Sequence, residues 1–173
     1  MVKEKLALRK YKLSDLDRLC ELFIDSSVLD SLSGSLTIKT LSKKGEQKWL
    51  KETLKKYKEK KPSRLDWVIE FNGEYIGGIG IHDVNWDNQK AEIGYWIAKP
   101  YWGKGYATEA VKQLVGILFK KYKLVRISGI AFSDNLASQR VLEKAGFKYE
   151  GILRKNAKRK NKFVDDKLYA IVR

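Results

Sequence analysis

Gly94-Tyr95-Trp96-Ile97-Ala98-Lys99-Pro100-Tyr101-Trp102-Gly103-Lys104-Gly105-Tyr106-Ala107-Thr108-Glu109-Ala110 reads as a strand, a short glycine-bearing loop and the opening of an amphipathic helix. A loop of this kind aims several free backbone N–H groups, and the positive end of the helix dipole, at one point. Such a point suits an anionic group such as a pyrophosphate. Gly103 and Gly105 would let the backbone approach a ligand closely and adopt dihedrals closed to other residues. The stretch therefore implies a phosphate-bearing ligand gripped mainly by main chain. The spacing matches neither G-x-x-x-x-G-K-[ST] nor G-x-G-x-x-G, so the common nucleotide loops are excluded.

Working outward, Leu6–Tyr11 alternates as a first strand, and Ser14 or Asp15 caps a helix bearing Leu16, Leu19, Cys20 and Phe23 on one face. Residues 26–41 are rich in Ser and Thr and read as a loop. Residues 42–60 read as a helix with Trp49, Leu50, Leu54 and Tyr57 as its apolar stripe, ended by Pro62. Asp66–Phe71 and Tyr75–Ile81 are strands joined by Asn72-Gly73, a strong hairpin signal. A turn at Asn85–Gln89 leads into a strand over Ala91–Ile97. After the glycine loop, Ala107, Val111, Leu114, Leu118 and Tyr122 share a helix face. A strand at Arg126–Phe132, a helix at Leu136–Ala145 ended by Gly146, and strands near 148–153 and 163–172 complete the chain. Alternating strands and helices in the centre predict a mixed α/β sheet packed on both faces, in a single domain over 1–173.

Composition narrows the classes. No apolar run approaches the ~20 residues that span a bilayer, and Met1–Arg9 is too charged for a signal peptide. One cysteine, Cys20, cannot form an internal disulfide, so a cytoplasmic location is expected. With one histidine and no cysteine pair, no metal site is expected. The net charge of +15, densest over 43–61 and 154–162, favours polyanions. It fits nucleic acid, a ribosome, cofactor phosphates or an acidic acceptor, and equally a set of solvated lysine-rich faces.

Three motifs in order, Glu92-Ile-Gly-Tyr-Trp-Ile97, Tyr101-Trp-Gly-Lys-Gly-Tyr-Ala-Thr-Glu-Ala110 and Asn135-Leu-Ala-Ser-Gln-Arg-Val-Leu-Glu-Lys-Ala-Gly-Phe147, strongly resemble the GNAT superfamily of N-acetyltransferases. Within it they are similar to the RimJ/RimL-like, ribosomal-protein branch. The resemblance runs from about Leu6 to Ile171 and implies a sheet of about seven strands flanked by about four helices. It implies acetyl-CoA as acetyl donor, direct attack by an amine in a ternary complex, and no metal. It places the cofactor on Trp96, Ile97 and Ala98 of the strand, on Trp102, Gly103, Lys104, Gly105, Tyr106, Ala107 and Thr108 of the loop and helix, and on Asn135 and Ser138. Trp102 stands where the family has Arg or Gln.

Glu92, Gly94 and Trp96 share strand parity and so one face of the sheet. Gly94 would allow the strand to bulge and splay. The resemblance makes Glu92 the candidate base, acting through water; a structural carboxylate is the alternative. Part of the RimL branch uses a glutamate at the position matching Ala157, which this chain lacks. Asn135 reads as an N-cap, which puts Ser138 in the first helical turn. The resemblance gives Ser138 the role of donor to the departing thiolate, with a capping hydroxyl as the alternative. Cys20 reads as packing, and His82 as a hydrogen-bonded strand histidine or, less simply, a base.

The implied acceptor is a protein N-terminal α-amine, with ribosome association and a homodimer as implied partners and no membrane. Polyamine, aminoglycoside or lysine side-chain acetylation, and a CoA-sensing protein without turnover, are the alternatives. Acceptor choice is expected to lie in the loops at 26–42 and 154–163.

Overall fold

The computed structural model describes residues 5–23, 42–159 and 161–173. Seven strands form one sheet: β1 (Leu6–Arg9), β2 (Leu65–Phe71), β3 (Glu74–Asn85), β4 (Lys90–Ile97), β5 (Arg126–Phe132), β6 (Lys148–Arg159) and β7 (Lys162–Val172), in the order β1-β2-β3-β4-β5-β7-β6. Every neighbouring pair is antiparallel except β4–β5, which is parallel. Four helices are described: α1 (Leu16–Leu22), α2 (Lys43–Lys56), α3 (Tyr106–Lys120) and α4 (Leu136–Lys144). None is long and apolar enough to cross a membrane. The expected loop at 26–41 lies outside the described residues.

The period-2 alternation sorts the core into two layers. Ile79, Ile81, Ile93, Ile97 and Ile127 face α3 and α4 and pack on Val111, Leu114, Leu118 and Leu142. Val68 and Tyr75 sit on the other face with Tyr11, Leu19, Leu22 and Leu50 of the α1–α2 side. The Asn72-Gly73 turn has φ of 51° and 85°, the double positive φ that a two-residue hairpin of the right twist needs. Ser42 caps α2 by accepting from the Gly45 N–H at 3.1 Å.

The structure departs from the sequence expectation at three places. On α1 the core positions are Leu19 and Leu22, while Cys20 is only half-buried and belongs to neither core layer. Helix α2 stops at Lys56 with Tyr57, packed on the core, as its C-cap, and the four charged residues that follow, Lys58 to Lys61, offer no apolar group to bury. The segment at 154–159 is strand: β6 continues to Arg159 against β7, with a register shift between Leu153 and Ala157 and a positive φ of 53° at Lys155. Its cross-strand partners on β7 draw it into the sheet, a tertiary effect that local composition does not carry.

Asp66 on β2 stands opposite Gly80, where an added Cβ would lie 2.6 Å from its Oδ1. Burial raises its carboxyl to about 6, against the pull of Arg64, whose Nε is 3.6 Å away. A raised acid binds more protons folded than unfolded, so stability should fall as pH rises from about 4 to about 6. Asp66→Asn should remove that slope. Thermal melts should find the variant more stable than wild type at pH 7, by on the order of 2 kcal/mol, and no more stable at pH 4.

Candidate active site

Strands β4 and β5 pair only from Lys90↔Arg126 to Ile93↔Gly129. Beyond that point β4 stays with β3 as far as Ile97↔Gly77, and β5 stays with β7 as far as Phe132↔Asp166. Each strand thus loses one neighbour, and the facing backbone edges have no ladder partner. The gap opens a cleft continuous with solvent and lined by His82, Glu92, Gly94, Tyr95, Asn135 and Ser138 among others. The parting begins at Gly94 as expected, but without a bulge: Gly94 remains in register with Gly80.

Backbone direction decides which strand groups face the gap. The Ala98 N–H donates to the Ile76 carbonyl at 2.9 Å, towards β3. Alternation then turns the backbone groups of Ile97 and Tyr95 to the opposite edge. The Trp102 indole Nε1 confirms this by donating to the Ile97 carbonyl at 2.6 Å. Of the three expected strand positions, Ile97 alone turns its amide to the edge that β5 has left. The Trp96 ring packs on Phe23 at a centroid distance of 4.5 Å, on the α1 side of the sheet.

The loop after β4 makes a 3₁₀ turn at Lys99–Tyr101 and reaches α3 through Gly103 (φ 75°) and Gly105 (φ 82°). A Cβ at either glycine would meet nothing within 4 Å, so the dihedral, not packing, requires glycine there. The first backbone bond inside α3 runs from Glu109 N–H to the Gly105 carbonyl at 3.1 Å. The N–H groups of Tyr106, Ala107 and Thr108 therefore have no partner in a preceding turn and point out of the helix start. This is an anion cradle of main-chain donors. Side chains here serve the scaffold: Tyr106 packs on Phe71, and the Lys104 ammonium lies 5.6 Å from the Tyr101 ring centre. Trp102, in place of a charged donor, pins the loop to the end of β4.

On the α1–α2 face, Glu92 stands directly across from His82, with Oε1 3.8 Å from Nε2. His82 Nδ1 meets the Asp83 carboxylate at 3.0 Å. Burial pushes the Glu92 carboxyl above the usual carboxylate range, opposed by His82 and aided by Asp83 and Asp166. On the α3–α4 face, Asn135 caps α4 by accepting from the Ser138 N–H at 3.0 Å. Ser138 Oγ lies 2.9 Å from the Tyr95 hydroxyl, which also donates to the Ser138 carbonyl at 3.0 Å. The cleft thus passes through the sheet, with a carboxylate on one side and a hydroxyl at a helix start on the other. The sequence reading missed Tyr95, while His82 is hydrogen-bonded beside the turn, to Asp83, and also faces Glu92. Counting back from the Asn85–Gln89 turn would have set His82 against Glu92, whereas nothing local places Tyr95 beside Ser138. Among the described residues no group of His, Cys, Asp and Glu could hold a metal ion.

Residues 5–148 match the family model described as an acetyltransferase (GNAT) domain. The chain belongs to the GNAT acetyltransferase family. Bacillus licheniformis p20, named as an uncharacterized N-acetyltransferase, is 29% identical over 98% of this chain and 94% of its own. Among solved structures, the GNAT fold here superposes on RimL, a ribosomal L7/L12 alpha-N-protein acetyltransferase in complex with coenzyme A. The TM-score is 0.89 at 20% identity, over 96% of this chain and 93% of that one. It also superposes on a spermidine N-acetyltransferase SpeG chimera from Vibrio cholerae and hSSAT, with TM-score 0.81 at 20% identity over 96% and 95%. At these identities both structures share the fold. The chain is accordingly an acyltransferase by family.

The pinning role of Trp102 is testable. Trp102→Phe keeps the ring and loses the bond to the Ile97 carbonyl, at a cost of about 1 kcal/mol. Hydrogen exchange should quicken at the amides of 103–106, with those of β5 unchanged.

Proposed function

We propose that this protein transfers the acetyl group of acetyl-CoA to a protein N-terminal α-amine, as a single-domain cytoplasmic enzyme. The observation that carries the reading is the cleft through the sheet, with Glu92 and Ser138 on opposite sides of the same gap. The anion cradle at Tyr106–Thr108 suits the pyrophosphate, and the open edge at Ile97 suits an extended amide-bearing arm. Asn135 borders the same cleft. When bound, acetyl-CoA supplies the thioester.

The residues then divide the work. An α-amine ionises at ~8, so a fraction is already neutral near pH 7, and a base need only accept the proton released on attack. Glu92, directly or through a water, takes that proton on the α1–α2 side. The Ile97 amide polarises the thioester carbonyl as charge gathers on its oxygen. The C–S bond breaks with its electron pair leaving on sulfur. There the Ser138 hydroxyl and the start of α4 stabilise the thiolate until it is protonated. The likeness in fold to RimL supports a protein N-terminus as acceptor. A polyamine acceptor has the SpeG likeness behind it, but a chain of net charge +15 repels polycations at long range.

The direct test is CoA release with mass spectrometry of products. The acceptors are N-terminal peptides of varied first residue, a lysine peptide with a blocked N-terminus, and spermidine. Acetylation of free N-terminal peptides is expected; acetylation of spermidine alone would replace the acceptor assignment. Two variants test the site. Glu92→Gln should lower kcat by about 10²-fold or more and leave CoA affinity in place. Because the Glu92 carboxyl lies above its ordinary range, wild-type rates should fall as pH drops through that raised value. The variant should lack that limb, and an unchanged profile would remove Glu92 as base. Gly105→Val forces a branched side chain to φ 82° and should abolish CoA binding in a calorimetric titration.

A further inference from the structure

We infer that Tyr95 is the positioning residue that turns the Ser138 hydroxyl proton into the cleft when sulfur departs. This rests on the reading of Ser138 as the hydroxyl that meets the thiolate.

The phenol of Tyr95 faces two acceptors with one proton. Tyr95 Oη lies 3.0 Å from the Ser138 carbonyl and 2.9 Å from Ser138 Oγ. A phenol has one proton and can serve only one of these at a time. In the first arrangement the phenol donates to the carbonyl, and Ser138 donates its own proton back to Tyr95. The serine proton then points away from the gap. In the second the phenol donates to Ser138 Oγ, and the serine proton is free to point into the cleft. Both arrangements use the same heavy-atom positions, so moving between them costs only two hydroxyl rotations. A developing thiolate favours the second, where the chain Tyr95 O–H to Ser138 O–H to sulfur is mutually polarised.

The surroundings fit this duty. Ser138 cannot drift, because its N–H is held by Asn135 Oδ1 at 3.0 Å. Tyr95 lies on β4 just past the last β4–β5 pair, so its side chain bridges the parted strand and the start of α4. Burial raises the phenol well above its ordinary range, so it stays a neutral donor and does not give up its proton to sulfur. Without the phenol, a serine in a first helical turn tends to bond its own backbone instead.

Bound coenzyme A reads this out without any acceptor. Its thiol ionisation is followed by thiolate ultraviolet absorbance against pH in wild type, Ser138→Ala, Tyr95→Phe and the double variant. Ser138→Ala should weaken the bound thiolate on the order of tenfold. Tyr95→Phe should weaken it similarly, the double variant no further, and CoA affinity should hold at neutral pH in all four. Wild-type ionisation in Tyr95→Phe beside a shift in Ser138→Ala overturns the role of Tyr95 alone, as would independent losses that multiply in the double variant. Loss of CoA affinity with unshifted ionisation in Tyr95→Phe would make the residue merely structural. No shift in Ser138→Ala overturns the reading of Ser138 itself, and the inference with it.

Discussion

Everything at the site depends on one broken ladder. Backbone groups in a sheet are satisfied in pairs, and β4 and β5 give up that pairing after Ile93↔Gly129 while each keeps its outer neighbour. The rest of the sheet holds the two strands in place, so the gap does not close and its edges remain available to an extended ligand. Gly129 helps to set this geometry. A Cβ there would lie 2.8 Å from Leu142 of α4, so its absence lets the helix sit close over β5. The start of α4, with Asn135 and Ser138, is thereby brought to the mouth of the gap.

The same break gives the site its two sides. Strand parity sends Glu92, Gly94 and His82 to the α1–α2 face, and Tyr95 to the face of α3 and α4. In an unbroken sheet these groups would be separated by a continuous backbone layer. Where the strands part, both sets border a single cleft, so a proton can be taken on one side and a leaving group met on the other. Trp102 and the two positive-φ glycines set the entrance, one fixing the loop to Ile97 and the others turning it into α3.

Much of this was legible from residues. The Asn72-Gly73 hairpin, the turn of the glycine loop into a helix, the Asn135 cap and the shared parity of Glu92, Gly94 and Trp96 are local signals, and the backbone has each of them. What escaped depends on partners distant in sequence. The C-terminal hairpin is strand to Arg159 because β7 pairs with it, while its composition is that of a charged loop. Cys20 and Leu22 differ in burial through the packing of α1 on α2, which a seven-residue helix does not reveal by period alone. Tyr95 read as one more apolar strand residue, because no spacing rule says that its hydroxyl will meet a helix 43 residues later.

The central claim is that the parted strands and the start of α3 form one acetyl-CoA site. Titration of the isotopically labelled protein with acetyl-CoA, followed by amide NMR, tests it most directly. The largest shifts are expected at Tyr95, Ile97, Tyr106–Thr108 and Ser138, with β1 and β2 unmoved. Saturable shifts centred on any other surface, with these amides silent, would contradict it.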